Sequence, residues 1–323
     1  MEIRHRTLKN NGLDMHIAEC GTGPLVLLCH GWPELWYSWR HQLPALAAAG
    51  YHAVAPDMRG YGQTSAPGDV RAYSIFHLVG DMVGLVGALG ARACAIVGHD
   101  WGASVAWHAA LMRPDLFKSV AALSVTFRSR ARGYPCELLR ASGLEGHYWL
   151  YFQPEGVAEA HFERDIQRTF RTILFTASGD GPSDRKRWVV PPGAGLLDQM
   201  SEPSALPGWL GQADIDAYAR AFSRTGFRGG LNWYRNIDRN WELTAPYAGA
   251  HIAQPALFVA GTREPTLEGP RGQASLEDMA EQVPNLKQIF IEGGGHWLQQ
   301  ERPRQVNDAL LSFLRQTYPT SPA

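Results

Sequence analysis

The sequence is short of everything that would draw it to a polymer or a membrane. It has no excess of either charge: 30 Lys and Arg against 31 Asp and Glu leave a formal −1, which removes any long-range pull toward nucleic acid or an anionic lipid surface. Cysteine is scarce. Cys20, Cys29, Cys94 and Cys136 stand far apart with no Cys-x-x-Cys pair, which excludes a disulfide framework and predicts reduced thiols in a cytoplasmic protein. Nowhere do 18 uncharged apolar residues run together, so no membrane span is expected, and the opening Met1-Glu2-Ile3-Arg4-His5-Arg6 lacks the apolar core of a secretion signal. The 323 residues suffice for one large domain, or one carrying an insertion, and point to a small-molecule partner.

What is present is alternation. Apolar runs near 15–19, 24–29, 52–55, 94–97 and 120–125 are separated by helix-like stretches near 35–48, 75–89 and 103–112. Strand and crossover helix in turn predict an α/β fold, a mostly parallel sheet with helices on both faces. The pattern resumes with a strand at 255–260, a helix near 276–282, a strand at 286–291 and a last helix near 306–315. Between the two blocks the chain turns to aromatic-rich helical patches broken by glycine and proline. This predicts a helical cap over 127–243, inserted into a core made of 1–126 and 244–323. The basic run Arg128, Arg130, Arg132 at the start of that segment reads as a solvated hinge.

Gly98-His99-Asp100-Trp101-Gly102 falls where a strand should meet a helix. In the nucleophile elbow Gly-x-Ser-x-Gly, the glycines let strand and helix close up while the middle side chain is pushed out above the sheet. Here the middle residue is Asp100, which fits either a helix N-cap or a nucleophile. An elbow nucleophile needs an acid and a histidine, following it in that order along the chain. His296, in Gly293-Gly294-Gly295-His296-Trp297 just past the strand ending at Ile291, supplies the base. The turn after the preceding strand reads Gly261-Thr262-Arg263-Glu264-Pro265, and Glu264 is its one carboxylate; a surface glutamate beside Arg263 is the competing role. Near the start, His30-Gly31-Trp32-Pro33 also follows a strand, and the backbone N–H groups of Trp32 and Trp101 would pair as an oxyanion hole. His30 and His99 read as structural neighbours that point away from the reacting atoms.

The motif at His30, the run Asp57-Met58-Arg59-Gly60-Tyr61-Gly62, the Asp100 elbow and Gly294-Gly295-His296-Trp297 together resemble the soluble type of α/β-hydrolase-fold epoxide hydrolase. The runs at 148–159 and 226–241 look like that family's cap segments, so the resemblance spans nearly the whole chain, without the phosphatase domain of the mammalian enzymes. It implies an α/β-hydrolase fold, no metal and no organic cofactor, and hydrolysis of an epoxide to a vicinal diol through an ester on Asp100. It also implies that His296 is the base and that Tyr148 and Tyr234 are the two cap tyrosines, Tyr151 being the neighbouring competitor for Tyr148. Trp32, Trp101, Tyr151 and Trp233 would then contact an apolar epoxide. One position departs from the family: the relay acid is more commonly aspartate, and the matching residue is Glu264. A haloalkane dehalogenase shares the elbow aspartate and the tryptophan after it, but it needs no paired phenols and commonly carries Asn or Glu where Trp32 stands. A noncatalytic receptor would keep a pocket without requiring Asp100, His296 and both tyrosines. The sequence leaves a homodimer open.

Overall fold

The computed structural model describes residues 1–182 and 188–320. The first block runs β1 (Arg4–Asn10), β2 (Leu13–Cys20), β3 (Leu25–Cys29), α1 (Gln42–Ala48), β4 (His52–Pro56), α2 (Ile75–Ala88), β5 (Cys94–His99), α3 (Trp101–Met112) and β6 (Phe117–Leu123). Among the described residues, the chain then passes through seven helices: α4 (Pro135–Ala141), α5 (Tyr148–Tyr151), α6 (Val157–Phe162), α7 (Ile166–Ala177), α8 (Gln212–Thr225), α9 (Arg228–Arg235) and α10 (Ile237–Leu243). It returns to the sheet with β7 (Ala256–Gly261), α11 (Gly269–Gln282), β8 (Leu286–Ile291), α12 (Leu298–Glu301) and α13 (Pro303–Thr317).

The eight strands form one sheet in the order β1-β2-β4-β3-β5-β6-β7-β8. Pairing is antiparallel from β1 to β4 and parallel from β4 to β8. The β3 sequence LVLLC is apolar at every position because both faces are covered. Leu25, Leu27 and Cys29 join the larger core under α2 and α3, while Val26 and Leu28 join a second core under α1 and α13. This is the two-residue period of a strand sorting one run onto two faces. The strand order reverses between β3 and β5, where α/β sheets open a crevice at the carboxyl ends of their strands.

Two expectations are corrected. The first strand of the sheet, β1, has no apolar run to announce it: Arg4, His5, Arg6 and Thr7 are exposed on the sheet's edge. Its signal is the turn that follows, Asn11-Gly12 with φ of 48° and 77°, the two-residue hairpin connection that asparagine and glycine favour. The helix expected over 35–48 is two pieces, a 3₁₀ turn at Trp36–Trp39 and α1 from Gln42. Pro44 explains the break: lacking an N–H, it is accommodated in a helix's first turn and not in its interior.

Candidate active site

The ends of β5, β7 and β8 bring the nucleophile, relay-acid and base candidates of the elbow, Asp100, Glu264 and His296, together. Asp100 follows β5 with φ of 52° and ψ of −122°, and α3 starts at the next residue. Close packing forces this turn: a Cβ on Gly98 would strike the Gly102 carbonyl, and one on Gly102 would strike the carbonyls of Cys29 and His30. Gly31, just past β3, leaves room for the Asp100 carboxylate itself, which any larger residue would displace. The N–H of Trp32 then donates to Asp100 Oδ1 at 2.7 Å.

Asp100 Oδ2 lies 3.4 Å from Nε2 of His296, and His296 Nδ1 lies 3.1 and 3.0 Å from the two carboxylate oxygens of Glu264. Glu264 is 1% exposed, so it is not the surface glutamate that its sequence neighbour Arg263 suggested. Its Oε1 accepts the N–H of Thr266, and Thr266 Oγ1 donates to the carbonyl of Ser124, which ties the turn after β7 to the end of β6. Burial pushes the His296 imidazole down, but Glu264 and Asp100 on either side overwhelm it and hold the ring well above its ordinary value. For the two carboxyls, burial pushes upward and the histidine prevails, so both Asp100 and Glu264 lie below their ordinary values.

Behind His296 stands a buried polar relay that the sequence does not announce. His99 Nε2 donates to the His296 carbonyl at 2.6 Å, and Ser124 Oγ donates to the same oxygen at 2.9 Å. His99 Nδ1 lies 2.7 Å from Glu34 Oε2, which also accepts the N–H of Gly31. Glu34 thus fixes the loop after β3 and the backing of His296 together. The available signal was a carboxylate directly after the apolar β3 and the motif His30-Gly31-Trp32-Pro33, a place with little access to water.

Tyr148 at the start of α5 and Tyr234 in α9 face one another with ring centroids 5.9 Å apart. Tyr234 packs edge-on against Trp101 and Trp32 at 5.2 and 5.8 Å. Burial raises both phenols, and the Asp100 charge raises them further, so both remain protonated across the neutral range. Tyr151 is turned aside: its oxygen lies 2.7 Å from Nδ1 of His161. Of the two tyrosines on α5, Tyr148 is therefore the partner of Tyr234. Trp233 sits behind Trp101 at 6.0 Å, its indole N–H donating to the Arg59 carbonyl.

Arg235, next to Tyr234, holds the two tyrosine-bearing helices together. Its guanidinium donates to the carbonyls of Phe152, Gln153 and Pro154 in the loop after α5, and pairs with the buried Glu159. Among the described residues, no group of three or more His, Cys, Asp or Glu is placed to hold a metal ion, and no helix is long and apolar enough to cross a membrane.

Comparison with known proteins gives one answer. Residues 24–303 match the family model described as the alpha/beta hydrolase fold. The chain is 46% identical over 313 residues to Epoxide hydrolase A of Mycobacterium tuberculosis (strain ATCC 25618 / H37Rv), covering 96% of each chain. It is 41% identical to Epoxide hydrolase 3 of Siraitia grosvenorii, covering 97% of this chain and 98% of that one. The crystal structure of Epoxide Hydrolase A from Mycobacterium thermoresistibile superposes with a TM-score of 0.92 at 48% identity, over 97% of this chain and 98% of the other. The chain belongs to the epoxide hydrolases of the alpha/beta hydrolase fold family.

Proposed function

We propose that the protein hydrolyses small, largely apolar epoxides to vicinal diols in two steps, with residues 127–243 acting as the cap over the site. The observation that carries the reading is the opposition of two buried, protonated phenols to a carboxylate that is already ionised. An epoxide carries an electrophilic sp3 carbon and no carbonyl, and its leaving group is an alkoxide on the same molecule. Asp100, held below its ordinary value, needs no base to attack. Its carboxylate oxygen displaces the ring oxygen from carbon, forming an ester, while Tyr148 and Tyr234 donate hydrogen bonds to the departing oxygen and one of them transfers its proton. Trp32 and Trp101 supply aromatic walls for the substrate, and Trp233, fully buried, backs Trp101. Tyr151, its hydroxyl already engaged with His161, is left out of this role.

The second step clears the ester. Alkylation removes the charge of Asp100, one of the two carboxylates that raise His296, so the imidazole becomes easier to deprotonate when a base is needed. Neutral His296, oriented by Glu264, takes a proton from water, and the resulting hydroxide attacks the carbonyl carbon of the Asp100 ester. The N–H groups of Trp32 and Trp101 hold the oxyanion, a contribution of about 3 kcal/mol for one such donor. Collapse breaks the bond between the Asp100 carbonyl carbon and the diol oxygen, which takes the proton held by His296, and the acid proton left on Asp100 returns to the tyrosinate, restoring carboxylate, imidazole and phenol. The longer side chain of Glu264 is accommodated in this role by folding back onto Thr266, which brings both oxygens to Nδ1. The reading includes a cytoplasmic enzyme, in keeping with four buried, unpaired cysteines.

Single turnover in oxygen-18 water tests the ester. The first diol released should carry unlabelled oxygen from Asp100, and label in all of the first product excludes the ester. Running haloalkanes beside epoxides, with halide and diol both measured, separates this activity from a dehalogenase.

A further inference from the structure

The base loop is fastened to the helical segment by more than packing. The last turn of α7 has carbonyls with no partner inside the helix. Two of them accept from the base loop: the N–H of His296 donates to Ala177 at 2.9 Å, and the indole N–H of Trp297 donates to Leu174 at 2.8 Å. One carboxylate then closes the junction. Glu301, 5% exposed, accepts the N–H of Gly179 at 2.8 Å and of Gly295 at 2.9 Å on Oε2, and the N–H of Trp297 at 2.9 Å on Oε1. It therefore grips the residues on both sides of His296 and, with the same oxygen, the chain just past α7. No room is left between them: a Cβ on Gly179 would strike the Gly293 carbonyl.

The tyrosines are attached elsewhere. Trp233 is bonded to Arg59 and Asn236 to Val70, and a Cβ on Gly229 would strike the Gly60 carbonyl, so α9 rests on the loop after β4. The footing under the base is thus separate from the one under the tyrosines, while α8 and α10 meet the core elsewhere, through Asp214 on Tyr37 and Arg40, Tyr218 on Gln300 and Asn240 on Ile75.

We propose that Glu301 is a positioning residue for the second half of the reaction: it locks the His296 loop onto the end of α7, so that ester hydrolysis requires this footing of the cap to be docked while ester formation does not. The assignment rests on the two-step reading above. It assigns Glu301 no contact with substrate. Its carboxylate is suited to the task because two acceptor oxygens satisfy three converging N–H groups, which a glutamine, presenting N–H donors of its own at one end, cannot do.

The test uses the full chain and styrene oxide, with ester formation followed by stopped-flow tryptophan fluorescence and the adduct by intact mass. E301Q approaches the junction from the core and G179A from the cap, so that the idea stays testable if one variant is poorly folded. Each is expected to slow ester decay at least tenfold, with ester formation within about threefold of the parent, and to accumulate adduct in the steady state. Unchanged decay in a folded variant overturns the assignment, as does an equal loss in both steps, which marks general damage. H296Q is run alongside: absence of adduct there overturns the ester mechanism itself, and the role of Glu301 with it.

Discussion

The groups proposed above to react come from two regions built on different principles. Asp100, Glu264 and His296 sit at or just beyond the carboxyl ends of β5, β7 and β8, and consecutive parallel ladders fix the strands that carry them. Tyr148 and Tyr234 sit on helices of four and eight residues, too short to hold a position by their own hydrogen bonds. Their spacing is set by side chains: Arg235 clamping the loop after α5, and Phe152 wedged against Tyr234 with ring centroids 4.9 Å apart. A sheet places the groups proposed to form and break the ester, and a side-chain scaffold places the groups proposed to receive the leaving oxygen. The turns at the strand ends should tolerate changes around them better than the tyrosine scaffold does, except at the His296 loop, which Glu301 holds through side-chain bonds.

Replacing Asp100 by Ala gives the largest expected effect, a fall in turnover of about 10⁴-fold or more with no adduct by mass, since the nucleophile itself is gone. Adduct in that variant would move the nucleophile elsewhere. His296→Gln should leave ester formation intact and slow its decay by about 10²- to 10⁴-fold, the range for loss of a general base. In the parent, ester decay should rise with pH until His296 is neutral. That midpoint should lie lower in the alkylated enzyme than in the free enzyme, because the Asp100 charge that helps raise the imidazole has been removed. Equal midpoints, read from the decay rate and from NMR of the free enzyme, would uncouple the two residues.

Tyr148→Phe and Tyr234→Phe should each slow ester formation by about 10- to 100-fold, the low end for acid catalysis because the other phenol remains. The double variant should fall further, with ester decay barely changed. Arg235→Met probes the scaffold directly. It strands the buried Glu159 carboxylate, which should cost about 3 kcal/mol by urea unfolding, and it should slow ester formation by a smaller factor than either tyrosine change. Loss of stability with ester formation untouched would show that the tyrosines hold their spacing without this clamp.

The same contrast decides what could be read from the chain. Strands buried on both faces announce themselves, as β3 and β5 do, whereas β1 presents alternating charge to solvent and shows only in its Asn11-Gly12 turn. That Asp100, Glu264 and His296 come together is legible because chain order and strand ends locate them. Tyr148 and Tyr234 were reached through the resemblance alone, for no periodicity distinguishes a reacting phenol from one packed in a core. Arg235 and Glu301 were missed because their partners are backbone groups far away in sequence, Phe152 being 83 residues from Arg235 and Gly179 being 122 from Glu301. A backbone amide or carbonyl leaves no mark on the sequence of the residue that bears it.

The turn at Asp100 sets the proposed nucleophile against the fold. A residue with a Cβ at φ of 52° and ψ of −122° stores on the order of 1–3 kcal/mol of backbone strain, and glycine would release most of it at an entropic cost below about 1 kcal/mol. Selection for stability alone would therefore drift toward an inert elbow. In a family of such chains, an aspartate that persists at this one position records selection for turnover, and its loss to glycine would be the residue-level trace of an enzyme becoming a binding protein.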